Sequence, residues 1–439
     1  MAIPSVVSGL LLLTGCGGTD SSNDANSYPA STTSATATPR TTAPPPPIAA
    51  FDPPRTFDEI TSGPPSGLGV ANILLAGPYA YSLAPDSLSA VNITDGSDTG
   101  LARPEDEQPQ TAQGIGRATG APSSIRIGTV TAAVGAFVTL PPATGTQVAT
   151  MAVQALALDA STARTAWSAS WPLPLTDLPD GFLDSGAGAP TAEVAGTDAG
   201  TVVVVVRSNG APITYGVGIQ DSKVHWKQKN FAAEHVEDGL AVGFSSESGS
   251  WRGGTDLAVT ARDAASGDRR WAWDDFGGGE GARMSVFGPG RLLVERANDR
   301  DEREPEFLVT VAAGRRTAVP GSDAYFTTVG PCSFDERSAT VCKASDTEGG
   351  WIAAYDTASA RQLWKIPRTE ASGGRALLEA TGAWHGVVYG MTLQDAPITL
   401  DARTGRDLTT APGAAPRLVN QYGAVAGGAD QVTLFRATS

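Results

Sequence analysis

The chain has 439 residues, with 46 acidic against 31 basic side chains and a net charge of −15, which makes nucleic acid or another polyanion a poor ligand. It holds 51 Gly and 31 Pro and no long stretch of 3.6-residue periodicity, so helical classes are excluded and an all-β fold is expected. Three cysteines divide into one near the N-terminus, Cys16, and a distant pair, Cys332 and Cys342.

Residues 6–13 form an apolar run that leads into Leu13-Thr14-Gly15-Cys16. This junction resembles a bacterial lipobox, which implies a signal peptide at 1–15, cleavage before Cys16 and a diacylglyceryl group on its thiol. Residues 1–15 contain no Lys or Arg, and Pro4 precedes a short apolar run. A start upstream of Met1 accounts for these departures from the usual signal pattern. The run is too short for a spanning helix, whereas two acyl chains on one residue give stable anchoring. The chain is therefore expected at the outer face of a membrane, held through lipid on Cys16.

From 16 to 65 the composition shifts to Ser, Thr, Ala, Pro and Gly, with Ser31-Thr32-Thr33-Ser34-Ala35-Thr36 and Pro44-Pro45-Pro46-Pro47. Such a segment has little apolar surface to bury and is expected to be disordered. As a random coil its roughly fifty residues span about 40 Å, the reach of a tether.

The remainder, 66–439, is expected to fold as one β domain. Thr201-Val202-Val203-Val204-Val205-Val206, between Gly200 and Ser208-Asn209-Gly210, reads as a fully buried strand. Further strands are expected at 257–260, 292–295, 307–311, 387–389 and 432–435. Cys332 and Cys342 bracket nine residues, and are expected to form a local disulfide, which persists outside the reducing cytosol.

A repeat runs through this region. Asp159, Asp263 and Asp356 each end an apolar strand, a small-residue turn follows, and Trp167, Trp271 and Trp364 arrive eight positions later. Weaker copies lie at Leu400-Asp401-Ala402-Arg403-Thr404-Gly405, at Ile219–Trp226 with a shortened turn, at 311–315, at 91–96 and at 434–437. The units recur about every 45 residues, the spacing of four-stranded propeller blades. Asp suits the turn because its carboxylate bonds backbone two residues on. Trp gives a large apolar face to the neighbouring blade while its N–H seeks an acceptor. Eight units are counted, with seven blades as the alternative because the outermost copies are faint. Ring closure is expected to join strands near 417–435 with one from the region after Pro65.

The pattern Leu-Asp-Ala-x-Thr-Gly-x-x-x-Trp resembles the PQQ-like, quinoprotein-type β-propeller repeat over roughly 66–439. That family includes pyrroloquinoline-quinone alcohol dehydrogenases and non-enzymatic envelope lipoproteins, so the resemblance speaks to architecture more than to activity. The enzymes hold their quinone and a Ca²⁺ or lanthanide through carboxylates and an Asn, stacked on a Trp and often on a vicinal disulfide. Cys332 and Cys342 are not adjacent, and no matching carboxylate set stands out, so no cofactor and no metal are expected.

Other candidates for chemistry read as structure. Asp159, Asp263, Asp356 and Asp401 recur with the repeat and are taken as turn residues. His225, His235 and His385 show no metal-ligand spacing. Gly277-Gly278-Gly279-Glu280-Gly281 lacks the Lys-Ser/Thr of a phosphate loop, and Gly181 with Ser185 makes no nucleophile elbow. Residues 298–306 mix both charge signs and suit a solvated hairpin. Trp251 lies in a Ser/Gly-rich stretch and is a candidate partner contact. The expected function is a non-enzymatic, membrane-anchored scaffold that binds an envelope protein. The alternative is a quinone-dependent or other small-molecule enzyme or sensor, with its site in the propeller channel.

Overall fold

The strand Thr201–Arg207 shows how the sequence builds the core. Val202, Val204 and Val206 pack into one apolar cluster, and Val203 and Val205 into another on the opposite face. A strand buried on both faces favours unbroken β-branched residues over alternation. The same arrangement repeats around the molecule. The computed structural model describes residues 49–60, 68–104, 117–139, 150–177, 190–198, 200–208, 212–249, 251, 256–278, 282–295, 307–319, 328–346, 349–368, 376–428 and 431–439.

Eight antiparallel sheets follow in chain order, seven of four strands and one that gains a fifth. Blades I to VII occupy 73–102, 123–172, 191–229, 231–278, 283–318, 328–367 and 379–409. Blade VIII takes three strands from 418–437 and its outermost strand, Phe57–Glu59, from the other end of the chain. First strands of successive blades contact one another, as Thr191–Asp198 does Phe231–Glu237 and Arg283–Gly288 does Thr328–Phe334, which places them at the axis. The fold is an eight-bladed β-propeller. All eight sequence units map onto the blades, which resolves the seven-or-eight alternative.

The core is a ring of small cores. Eight apolar clusters are present, each joining two neighbouring blades. Blade VIII is held on both sides: Phe57, Val419 and Ala424 pack with Tyr389 of blade VII, while Val425 and Leu434 pack with Ile73 and Ile93 of blade I. Buried apolar area between blades, rather than within any one blade, holds the ring together.

Closure corrects the expected boundary at 65/66. The strand that completes blade VIII lies before Pro65: Phe57 pairs with Ala437, Asp58 with Arg436 and Glu59 with Phe435. Phe51 N–H also donates to Gln421 O at 2.7 Å and Arg55 N–H to Ser439 O at 2.6 Å. The propeller therefore takes in residues assigned to the tether. Cys16, the signal segment, residues 17–48 and 61–67, and the mixed-charge stretch 298–306 lie outside the described residues. Among the described residues no helix is long and apolar enough to cross a membrane.

Candidate functional site

The central channel is where a propeller can gather side chains from many blades. Its walls are the first strands, including Ile73–Ala76, Thr191–Asp198, Phe231–Glu237, Glu379–Trp384 and Leu418–Asn420. The connection from blade I to blade II enters this space. Arg117–Ala118 pairs parallel to Thr191 and Ala192 on the axial side of blade III, making that sheet five-stranded. Thr119 N–H continues the pairing to Ala192 O at 2.9 Å, and Asn72 Nδ2 donates to Gly120 O at 3.3 Å. A short backbone segment thus lies along the axial edge of blade III. A cavity of about 330 Å³ is walled by Leu74, Phe334, Glu336, Trp384, Arg417 and neighbours from blades I, VI, VII and VIII.

Where the first strands begin, charged side chains satisfy one another. Arg207 reaches Glu193 and Glu234, each at 2.7 Å, linking blades III and IV. Burial pushes the Glu234 carboxyl above its ordinary range, against the pull of Arg207. Glu379 accepts from Lys343 at 3.0 Å and from Arg417 at 3.1 Å, linking blades VI, VII and VIII. Burial raises the Glu379 carboxyl, but the hydrogen bond from Lys343 and the Arg417 charge outweigh it and hold the group below its ordinary value.

At the other end of the ring, Asp52 from the N-terminal segment joins the His385 ring nitrogen and Arg337, the latter at 3.2 Å. His385 stacks on Trp384 with centroids 4.2 Å apart. Glu336 nearby has its carboxyl raised by burial, partly offset by His385. These residues tie blades VI and VII to the closing segment.

The donors present do not fit a quinone with its cation. Among the described residues Glu193, Glu234 and Glu379 are committed to Arg and Lys, which leaves Glu336 as the one carboxylate lining the axial cavity. Asn420 uses its carbonyl oxygen on Tyr422 and Gly423 N–H and its amide on Gly77 O. Among the described residues no His, Cys, Asp and Glu gather as a metal-binding group. Cys332 and Cys342 form a disulfide, but a cross-strand one between paired residues of blade VI, Cα–Cα 4.1 Å, rather than a vicinal platform.

The residues singled out by the repeat lie away from the channel, at the turns joining third and fourth strands. Asp159 Oδ1 accepts from Ser161 N–H at 2.9 Å, Asp263 Oδ1 from Ala265 N–H at 3.0 Å, Asp356 Oδ1 from Ser359 N–H at 3.0 Å and Asp401 Oδ1 from Thr404 N–H at 2.7 Å. Arg270 holds the Asp263 carboxyl below its ordinary range, and Ser359 does so for Asp356. A carboxylate stabilised in this way is a poor general base.

Each repeat Trp leans on the next blade. Trp226, Trp271 and Trp364 donate Nε1–H to Ala264 O, Val311 O and Ala402 O at 2.9, 2.8 and 2.8 Å. Their rings lie over Gly267, Gly314 and Gly405, where an added Cβ would come within 2.7, 2.6 and 2.9 Å. Trp167 departs from this. The turn facing it, in blade III, has Ser222 at the glycine position with φ +56, and the Trp167 N–H is buried without a partner. A Cβ at that position denies the ring the close approach the glycines permit. Blade III also corrects the expected shortened turn: Ser222 N–H bonds Gly218 O as Gly267 N–H bonds Asp263 O, so the turn has full length with Gly218 in the Asp position.

Trp251 is half-buried and packs against the clusters on both sides of blade IV, with its indole N–H shut away. Part of its ring packs on the core and part stays exposed. Of the glycine stretch 277–281, the first two residues end the strand Arg269–Gly278 and the rest lie outside the described residues. Sequence reasoning missed the channel ion pairs and the axial strand at 117–118; Glu193 and Glu234, charged positions beside Ala and Val within strands, were the available signal.

No protein-family model matches the chain, and no curated protein matches it. Among solved structures it is similar to quinohemoprotein alcohol dehydrogenase ADHIIG from Pseudomonas putida HK5, at TM-score 0.47 and 11% identity over 89% of this chain and 76% of that one. It is similar to a chain of the mitotic checkpoint complex, at TM-score 0.38 and 10% identity over 82% of this chain and 94% of that one. A third likeness is the WD40 β-propeller domain of Doa1, at TM-score 0.37 and 7% identity over 88% of this chain and 98% of that one. At such identities activity does not transfer, and the architecture rests on the strand topology described above.

Proposed function

We propose that this chain is a lipid-anchored, extracytoplasmic propeller that binds a protein partner or assembles an envelope complex, without catalysis of its own. The observation that carries the reading is Leu13-Thr14-Gly15-Cys16 after an apolar run, followed by a Ser/Thr/Pro-rich segment. The Cys332–Cys342 disulfide supports an oxidising location. Pairing of Glu193, Glu234 and Glu379 with Arg and Lys favours a scaffold over small-molecule chemistry. Mass spectrometry of the mature N-terminal peptide tests the anchor. Diacylglyceryl-modified Cys16 as the first residue is the expected result; an unmodified Cys16 in a soluble pool contradicts it.

The cavity beside Glu336 and Trp384 favours a second reading, a small-molecule sensor or enzyme in the channel. Quenching of Trp fluorescence by a quinone added with Ca²⁺ or a lanthanide would support its quinone form, and an unchanged spectrum would remove it.

A further inference from the structure

A larger cavity lies off the axis, between the outer halves of blades III and IV. It is an open groove of about 710 Å³, lined by Ser245 and Thr260 together with charged side chains that include Lys229, Glu247, Asp256 and Arg262. Ser245 and Thr260 hydroxyls bond each other at 2.7 Å and so present a shared polar edge. Ser245, Ala258 and Thr260, small residues of two paired strands, line its wall on the side of blade IV.

Arg262 stands in this groove without a carboxylate. Its Nη1 donates to Gly267 O at 2.8 Å, its guanidinium lies 5.4 Å from the Phe231 ring centroid, and its Nε is buried without an acceptor. The Nη2 edge has no acceptor among the described residues and is not shut away from the groove. Burial and then neighbouring Arg269 push its pKa down, so the cation is held at a cost that a bound anion would relieve. Other cations nearby are neutralised: Arg269 by Asp274 at 2.6 Å and Lys229 by Asp177 at 2.8 Å. What sets Arg262 apart is its place: its guanidinium lines the groove, with Asp268 acting on it only at a distance.

We infer that the groove between blades III and IV binds a ligand through a single carboxylate, received by the guanidinium of Arg262 and the hydroxyls of Ser245 and Thr260. The Nη2 edge of the guanidinium is a charged donor suited to one oxygen of a carboxylate. Glu247 and Asp256 also line the groove, and their repulsion grows with ligand charge, which favours a monoanion over phosphate or a polyanion. The carboxylate comes from a small free acid or from a peptide C-terminus.

Calorimetric titration of the full-length chain with N-acetylalanine, N-acetyl-trialanine, N-acetylalanine amide and inorganic phosphate tests this. Both acids should bind saturably, the amide should not, and Arg262→Gln should weaken the acids about tenfold or more. Tighter binding of N-acetyl-trialanine assigns the site to a peptide terminus; equal binding assigns it to a small acid. Equal binding of acid and amide, preference for phosphate, no binding by any probe, or unchanged affinity in a folded Arg262→Gln variant overturns the proposal. Should that variant fail to fold, the Arg Nε–H resonances of the wild-type chain decide. One must shift with the acids and not with the amide, and a titration that leaves all of them unmoved overturns the site.

Discussion

At the scale of residues, the ring depends on a pairing between an indole and a glycine of the next blade. Trp271 fills its interface because Gly314, at φ +62, leaves room for the ring and Val311 O accepts its N–H. Removing that side chain creates a cavity and strands an acceptor, so Trp271→Ala should cost about 3–5 kcal/mol in urea unfolding. Gly314→Ala should also destabilise, by more than 1 kcal/mol on the order expected for a strained backbone with overpacking. Ala163 holds the same turn position in blade II, at φ 55, but faces Gly100 instead of a Trp. Ala163→Gly should therefore change stability by only about 1 kcal/mol or less. Equal effects at positions 314 and 163 would contradict the pairing.

Glu379 gives a pH-dependent test at the same scale. Its folded pKa lies below its ordinary value of 4.5, so its stabilisation is fully present above that value and fades as pH falls through the lowered folded value. Glu379→Gln leaves Lys343 and Arg417 without their shared acceptor. The variant should be less stable than wild type at neutral pH, and the gap should narrow on acidification below 4.5. A gap independent of pH would contradict the ion-pair account.

At the scale of elements, the closing strand decides where the folded unit begins. A chain starting at 66 lacks Phe57–Glu59 and the contacts of Phe57 with Tyr389, and should lose cooperative thermal unfolding that a chain starting at 49 retains. Indistinguishable melts would contradict closure by this strand. The Cys332–Cys342 bond joins strands already paired. Reducing it should lower stability by about 2–3 kcal/mol in the chain-entropy account of a short loop, and alkylation of the unreduced protein should label neither residue.

The same scale shows what the sequence made legible. Strand runs, Asp turns and Trp positions recur at a fixed interval, so local chemistry alone marked the eight units. The closing strand was hidden because Phe57-Asp58-Glu59 is three residues with two acids, and Asp58 meets Arg436 across 378 positions. Blade III looked short because Gly218 replaces the Asp that flags the turn. The channel ion pairs escaped because their members belong to different blades, and Arg117–Ala118 is too brief to carry a pattern. Trp251 sits among Ser and Gly, a context that reads as surface although part of its ring is packed.

At the scale of the whole molecule, eight small cores arranged in a ring hold the blades together, with Glu193, Glu234 and Glu379 paired to Arg and Lys near the axis. The proposed scaffold role places function on the outer surface of this ring. A lipid on Cys16 would confine that surface to the membrane, raising its effective concentration toward partners held there. The most direct measurement is crosslinking of the protein in intact cells followed by mass spectrometry, with Cys16→Ala as the unanchored control. The account predicts a reproducible protein partner joined to propeller residues and lost in the control. Crosslinks no different from background, or a partner captured equally well by the Cys16→Ala chain, would contradict the membrane-held scaffold.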